Sequence, residues 1–179
     1  MPKNNRHGQA DIWDDQQFES VMKELSPKMR AVFSICYFTC CRVSEALQLE
    51  REDIVGDRIV FRKRTTKTKQ TREVAIHPRL AEILALAALP TRGYLFPGRD
   101  GKKPMTRQAA DQALRTACDY LGLQGFSTHS NRRTAATRLN NQGVPLRVIQ
   151  KIGGWASLAA LQRYLEVSDE QMDEAIGML

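Results

Sequence analysis

The side chains best suited to chemistry lie between Ser127 and Val167. Thr128 is of a type that caps helices, and the residues after it predict a helix to about Asn141, stopped by Gly143. On that helix His129, Arg132, Ala136 and Leu139 recur at spacings of three and four, which is one face. The face turns inward, so an Arg and a His sit at the end of an apolar stripe. A guanidinium buried there without a partner is costly, and it calls for an anion. Gly153-Gly154-Trp155 then breaks the chain, Ser157 caps a further helix, and Tyr164 falls near that helix's end. Taken singly, these are a core Trp, a half-buried Tyr and an Arg–His pair on a solvated face.

Taken jointly, His129-x-x-Arg132, Gly154-Trp155 and Tyr164 nine residues later resemble the C-terminal motif of the tyrosine recombinases, the phage integrase family. Upstream, Arg42-Val-Ser-Glu45 resembles the family's first arginine motif. Outside that resemblance, Arg42 and Glu45 read equally well as an ordinary surface ion pair three residues apart. From Arg62 to Arg72 the chain carries six basic residues and no acidic one, between two runs of β character. Lysines also protect exposed sheet edges. The family, however, keeps its catalytic Lys in this hairpin, and aligning back from Arg72-x-Val-x-Ile76 puts it at Lys67. Lys69 is the rival, because a two-residue slip keeps the same face.

The resemblance implies a division of labour. A phosphodiester repels nucleophiles, and Arg42 and Arg132 would bind its non-bridging oxygens and offset charge in the transition state. Glu45 would fix Arg42. Trp155 offers an indole N–H with no proton to lose, where many members use His. Tyr164 would be the nucleophile, forming a covalent 3′-phosphotyrosyl link. His129 would assist proton transfer or hold the phosphate, and Lys67 would protonate the leaving 5′-oxygen. Neither metal nor other cofactor is expected. Arg62, Lys63, Arg64, Lys69, Arg72 and Arg133 are the expected DNA contacts.

The elements that must position these groups are mostly helical. Phe18, Val21, Met22 and Leu25 form a first stripe after Asp14. Ser26-Pro27 opens a second helix with Met29, Val32, Phe33, Cys36 and Tyr37 inward. Strands follow over 58–62 and 72–76, turned by Gly56-Asp57 before the first of them. Pro78 starts a helix, 91–101 is a loop rich in turn residues, and Thr106 caps a long helix closed by Gly122. Ser168-x-x-Gln171 is a capping box for a last helix with Met172, Ala175, Ile176 and Leu179 apolar. The expected fold class is α+β, mainly α-helical, with one small antiparallel β-sheet. Residues 1–12 read as a loose polar arm and 13–179 as the catalytic domain, with the family's usual N-terminal DNA-clamping domain absent.

Three departures from the family pattern stand out. Cys40 occupies a position where a turn-making Gly is common. The motif reads His129-Ser-Asn-Arg132-Arg133 where many members have His-x-Leu-Arg-His. The missing clamp is the third.

Composition bounds the alternatives. The chain has 179 residues, ordinary hydrophobicity and a net charge of +7, which favours a polyanionic partner. No apolar run approaches the roughly 18 residues of a membrane span, and no leader-like segment opens the chain, so a soluble cytoplasmic, nucleoid-associated protein of a bacterium or phage host is expected. The four Cys lack metal-ligand spacing and read as small buried apolar residues. The partner expected is double-stranded DNA, with a homo-oligomer, a synaptic tetramer, formed through residues 168–179. The leading reading is a site-specific recombinase. Its alternatives are topoisomerase-like relaxation by the same chemistry, and a non-catalytic DNA-binding remnant. An RNA-binding or purely structural domain ranks last, since charge alone supports it.

Overall fold

The computed structural model describes residues 9–66, 69–165, 167 and 169–179. Helix α1 (Asp15–Glu24) begins at a reciprocal cap in which the Asp14 carboxylate accepts from the Gln17 N–H. Its stripe, Phe18, Val21 and Met22, is buried. Helix α2 (Pro27–Phe38) starts as its sequence dictates, with the Ser26 hydroxyl accepting from the Met29 N–H and Pro at the first position, where no N–H is needed. Six consecutive residues of α2, Ala31 through Cys36, are buried. This helix is therefore covered on most sides, by α1, α4 and α6.

A short α3 (Val43–Leu47) follows, and then a three-stranded antiparallel sheet in the order β1 (Ile54–Val55), β2 (Arg58–Phe61), β3 (Arg72–Ala75). β2 and β3 pair with Ile59 opposite Val74 and Phe61 opposite Arg72. Ile59, Phe61 and Val74 turn to the core, as the two-residue period requires. β1 escapes sequence reading because two residues cannot display a period. Helices α4 (Pro78–Leu86) and α5 (Arg107–Tyr120) are capped by His77 and Thr106. Then come α6 (Ser130–Asn141), α7 (Leu146–Gly153), α8 (Leu158–Gln162) and α9 (Asp169–Gly177).

Two features differ from expectation. Thr128 does not cap α6. His129 stands at the N-cap position, and its N–H is taken by the Ser127 hydroxyl at 3.3 Å, while the Ser127 N–H donates to the Ser130 hydroxyl. The other is the arm over 1–12, of which Ala10 to Ile12 are packed against the domain. Ala10 is buried, and the Asp11 N–H donates to the Gly125 carbonyl at 3.1 Å. The capping box begun by Ser168 lies outside the described residues.

Trp13 explains why this opening segment is held. Its ring stacks on Phe126 with centroids 3.7 Å apart, and its indole N–H donates to Asn131 Oδ1 at 3.0 Å. Its backbone N–H donates to the Thr134 hydroxyl at 2.8 Å. Asn131 in turn donates to the Phe33 carbonyl, so one residue ties the start of the domain to α6 and, through it, to α2. Replacing Trp13 by Phe keeps most of the buried ring but strands the Asn131 carbonyl oxygen. A loss of about 1–3 kcal/mol in urea unfolding is expected, and Trp13→Ala should lose about 3–5 kcal/mol. An unchanged midpoint in Trp13→Phe would show that the indole hydrogen bond contributes nothing.

Candidate active site

The site forms where α2 ends, α3 begins and α6 starts. After Thr39 the backbone enters the left-handed region at Cys40, with φ of 50°. That conformation disfavours a residue with a side chain. It explains why a Gly suits this position, and here a buried Cys tolerates it. The turn directs the Cys40 carbonyl at the Arg132 guanidinium, whose Nη1 donates to it at 2.5 Å. The same nitrogen donates to the Gly153 carbonyl at 2.9 Å.

Arg132 is wholly buried in the first turn of α6. Its guanidinium lies over the Trp155 ring, 3.7 Å from the centroid, and 5.2 Å from the centroid of Tyr164. Its Nε and Nη2, and the Trp155 indole nitrogen, are buried with no hydrogen-bond partner among the described residues. Burial, reinforced by the nearby Arg42 charge, pushes Arg132 down to about 10, so it remains a cation at neutral pH. A buried cation whose donors are not all met by protein groups is an arrangement suited to an anionic partner.

Tyr164 follows α8, its ring edge-on to Trp155 at 5.3 Å and 6.3 Å from the His129 ring. Its carbonyl accepts from Arg133 Nε at 3.4 Å and the Thr137 hydroxyl at 3.3 Å. The Gly153-Gly154 turn is fixed by what surrounds it. A Cβ on Gly153 would fall 1.9 Å from the Trp155 ring, and Gly154 adopts φ of +66°.

Arg42 is the N-cap residue of α3, and Glu45 reaches back to accept from its N–H at 3.1 Å and its Nη1 at 3.2 Å. Glu45 is buried and also accepts from Arg72 Nη2 at 3.0 Å. Burial alone would raise its pKa. Arg72, the Arg42 N–H and the Arg132 and Arg42 charges outweigh that and hold it below the usual carboxylate value. The pair is therefore no exposed i,i+3 contact but part of a buried network.

The structure thus brings together Arg42, Glu45, His129, Arg132, Trp155 and Tyr164. Lys67 lies outside the described residues. Lys69 is exposed at the hairpin tip, with φ of 52°, and Lys63 is exposed beside it. Arg62 and Arg64, expected at DNA, pair with Glu50, and Arg62 also with Asp53. Two further expected DNA contacts point inward. Arg133 is buried and donates to the Ala10 and Tyr164 carbonyls. Arg72 is 9% exposed and is spent on protein groups. A signal for Arg72 was available, since it shares a strand face with Val74, which faces the core. Nothing in the sequence marks the Cys40 carbonyl as a ligand of Arg132. Among the described residues, no cluster of three metal-ligating side chains occurs.

A mainly helical domain with one small sheet, in which two arginines, an indole and a tyrosine come together, has clear structural counterparts. The catalytic domain of bacteriophage HP1 integrase superposes with a TM-score of 0.70 at 22% identity, covering 94% of this chain and 95% of that one. A XerH recombinase bound to palindromic difH in a post-cleavage complex gives a TM-score of 0.76 at 20% identity, covering 97% of this chain and 55% of that one. The architecture is that of tyrosine recombinase catalytic domains. The chain belongs to the phage integrase family, whose model matches residues 13–171. Tyrosine recombinase XerC of Rhodospirillum centenum is 35% identical over 150 residues, 80% of this chain and 43% of that protein. The chain spans about half the length of the curated relatives it matches.

The Glu45 network carries a pH signature. A carboxylate whose folded pKa is lowered stabilises the fold above its ordinary value of 4.5. That contribution is lost as pH falls through the lower folded value. Glu45→Gln should therefore show a flatter fall in Tm below pH 4.5 than the parent. Parallel acid limbs in the two proteins would contradict the assignment.

Proposed function

We propose that this chain is the catalytic domain of a site-specific DNA recombinase, cleaving and rejoining strands through a 3′-phosphotyrosyl intermediate. The observation that carries the reading is Arg132, buried and stacked on Trp155, with two unused donors beside the Tyr164 ring. A scissile phosphate supplies the anion those donors lack. Arg42, held by Glu45, offers a second guanidinium on a partly exposed side chain. The Trp155 indole N–H is a third donor.

In the reaction the Tyr164 phenolic oxygen forms a bond to phosphorus as the bond from phosphorus to the 5′-oxygen breaks. His129 assists transfer of the phenolic proton to solvent or holds the phosphate, and Lys67 gives a proton to the departing 5′-oxygen. The charge building on the non-bridging oxygens meets fixed arginines in a water-poor site, which is where electrostatic stabilisation is strongest. One phosphodiester replaces another, so the strand can be resealed by reversal without an energy source. Lys63 and Lys69 contact the DNA backbone from the hairpin. The protein acts in the cytoplasm of a bacterium or phage host, at the nucleoid. The final helix, whose Met172 and Ile176 are exposed together with Met178 and Leu179 beyond its end, provides the contact between copies on DNA.

A nicked suicide duplex that loses a short 5′-fragment after cleavage tests the core claim. The parent should accumulate a covalent protein–DNA adduct on a denaturing gel. Tyr164→Phe should form none while binding the same DNA, because only the hydroxyl is lost. Adduct persisting in that variant would assign the attack to another side chain.

The hairpin lysines separate on a second substrate. An alkoxide is too basic to leave unprotonated, whereas a thiolate, with a thiol pKa near ~8.5, is not. Lys67→Ala should cleave ordinary DNA about 10²- to 10⁴-fold more slowly and recover when sulfur replaces the scissile 5′-oxygen. Lys69→Ala should bind more weakly and ignore the sulfur. Rescue of Lys69→Ala instead would move the acid to Lys69, and rescue of neither would leave both as binding residues.

A further inference from the structure

Arg72 occupies a place that the chemistry above does not use. It stands at the first position of β3, on the hairpin that carries Lys67, yet its side chain turns away from the hairpin's basic surface. Nη2 donates to Glu45 at 3.0 Å, and Nε donates to the Ile152 carbonyl at 3.0 Å. The guanidinium lies 4.1 Å over the Phe61 ring. Nη1 is buried without a partner among the described residues. One side chain thus touches three separate parts of the fold: Glu45, which holds Arg42; the end of α7, whose next carbonyl holds Arg132; and Phe61 of β2.

The fit against α7 is close. A Cβ built on Gly154 would lie 2.9 Å from Arg72 Nη1, 3.1 Å from Cζ and 3.2 Å from Cδ. The first distance is shorter than real carbon contacts allow, and the guanidinium cannot swing aside without releasing Glu45 or Ile152. Gly154 is therefore required twice, by its left-handed backbone and by Arg72. The neighbouring Gly153 carbonyl and Trp155 ring are the groups that hold and stack on Arg132. Displacing Arg72 would disturb the turn that presents both.

We propose that Arg72 is a positioning residue, interlocked with Gly154, that sets Arg42 through Glu45 and sets Arg132 through the 152–155 turn. The proposal rests on the recombinase reading for its kinetic test but not for its structural one. Its rivals are a plain buried ion pair, which would matter only for stability, and a DNA contact, which would matter for binding.

Three measurements on the full chain separate these. First, Arg72→Lys keeps the charge but loses the planar fork that reaches Glu45 and Ile152 together. It should slow adduct formation on the suicide duplex about 10- to 10²-fold. A scissile methylphosphonate, in which an uncharged methyl replaces a non-bridging oxygen and removes its negative charge, should restore most of that rate, as it should for Arg42→Lys. Equal losses on both substrates would reduce Arg72 to a stability role and overturn the proposal. Second, the slope of log affinity against log salt should match the parent. A slope smaller by about one would make Arg72 a phosphate contact instead. Third, Gly154→Ala should lower Tm more in the parent than in Arg72→Ala, because the clash exists only with the guanidinium in place. Additive losses would refute the interlock even if the parent formed no adduct. Absence of adduct in the parent on both substrates would fail the recombinase reading, leaving the thermal cycle to decide the interlock.

Discussion

The structure depends on keeping one guanidinium out of water. Arg132 has no exposed surface, and its pKa is depressed chiefly because burial disfavours charge. Such a group is a standing cost to the fold, and the surroundings show how it is met. Two backbone carbonyls, Cys40 and Gly153, take one of its nitrogens, and the Trp155 face takes its plane. Both carbonyls come from turns with left-handed residues at or beside them, Cys40 itself and Gly154 next to Gly153. Backbone strain and a buried charge are thus concentrated at one point. That point is also where Tyr164 arrives. A fold free to minimise its own energy would not build this, and strain of that kind gathers where a structure over-determines it.

Around Arg132 the other ionic groups are graded by exposure. Glu45 is buried and balances Arg42 and Arg72 at once. Arg62 and Arg64 share Glu50 nearer the surface. Lys63 and Lys69 are exposed. The net positive charge is therefore not a uniform coat. Its inner members have acidic or carbonyl partners that fix their geometry, and its outer members keep their charge for long-range attraction.

Much of this was legible in the sequence because it rests on local rules. Caps at Asp14, Ser26, His77 and Thr106 open four helices, and of these the Asp14, Ser26 and Thr106 starts can be read directly. The hairpin follows from two β-rich runs flanking a basic turn, and the stripe of α6 correctly put Arg132 inward. The site residues were reached by resemblance to a family, joined to the argument that a buried Arg needs an anion. What stayed hidden was tertiary. The reversal of Arg72 and Arg133 from surface to interior depends on Glu45, Ile152, Ala10 and Tyr164, none of them a near neighbour in the chain. At the start of α6, His129 takes the N-cap position expected of Thr128, and no side-chain hydrogen bond caps the helix.

The Trp13 contacts have a consequence for how the chain reaches its fold. The indole hydrogen bond to Asn131 spans 118 residues, the backbone bond to Thr134 spans 121, and the Arg133 contact with Ala10 spans 123. Pairings of such separation must close a very long loop before they return any free energy, which makes them costly to form early. On the ribosome, Trp13 emerges long before α6 exists to receive it. Its large ring cannot take this place until α6 has left the tunnel. The ring that seals the start of the domain therefore waits for the helix that carries Arg132.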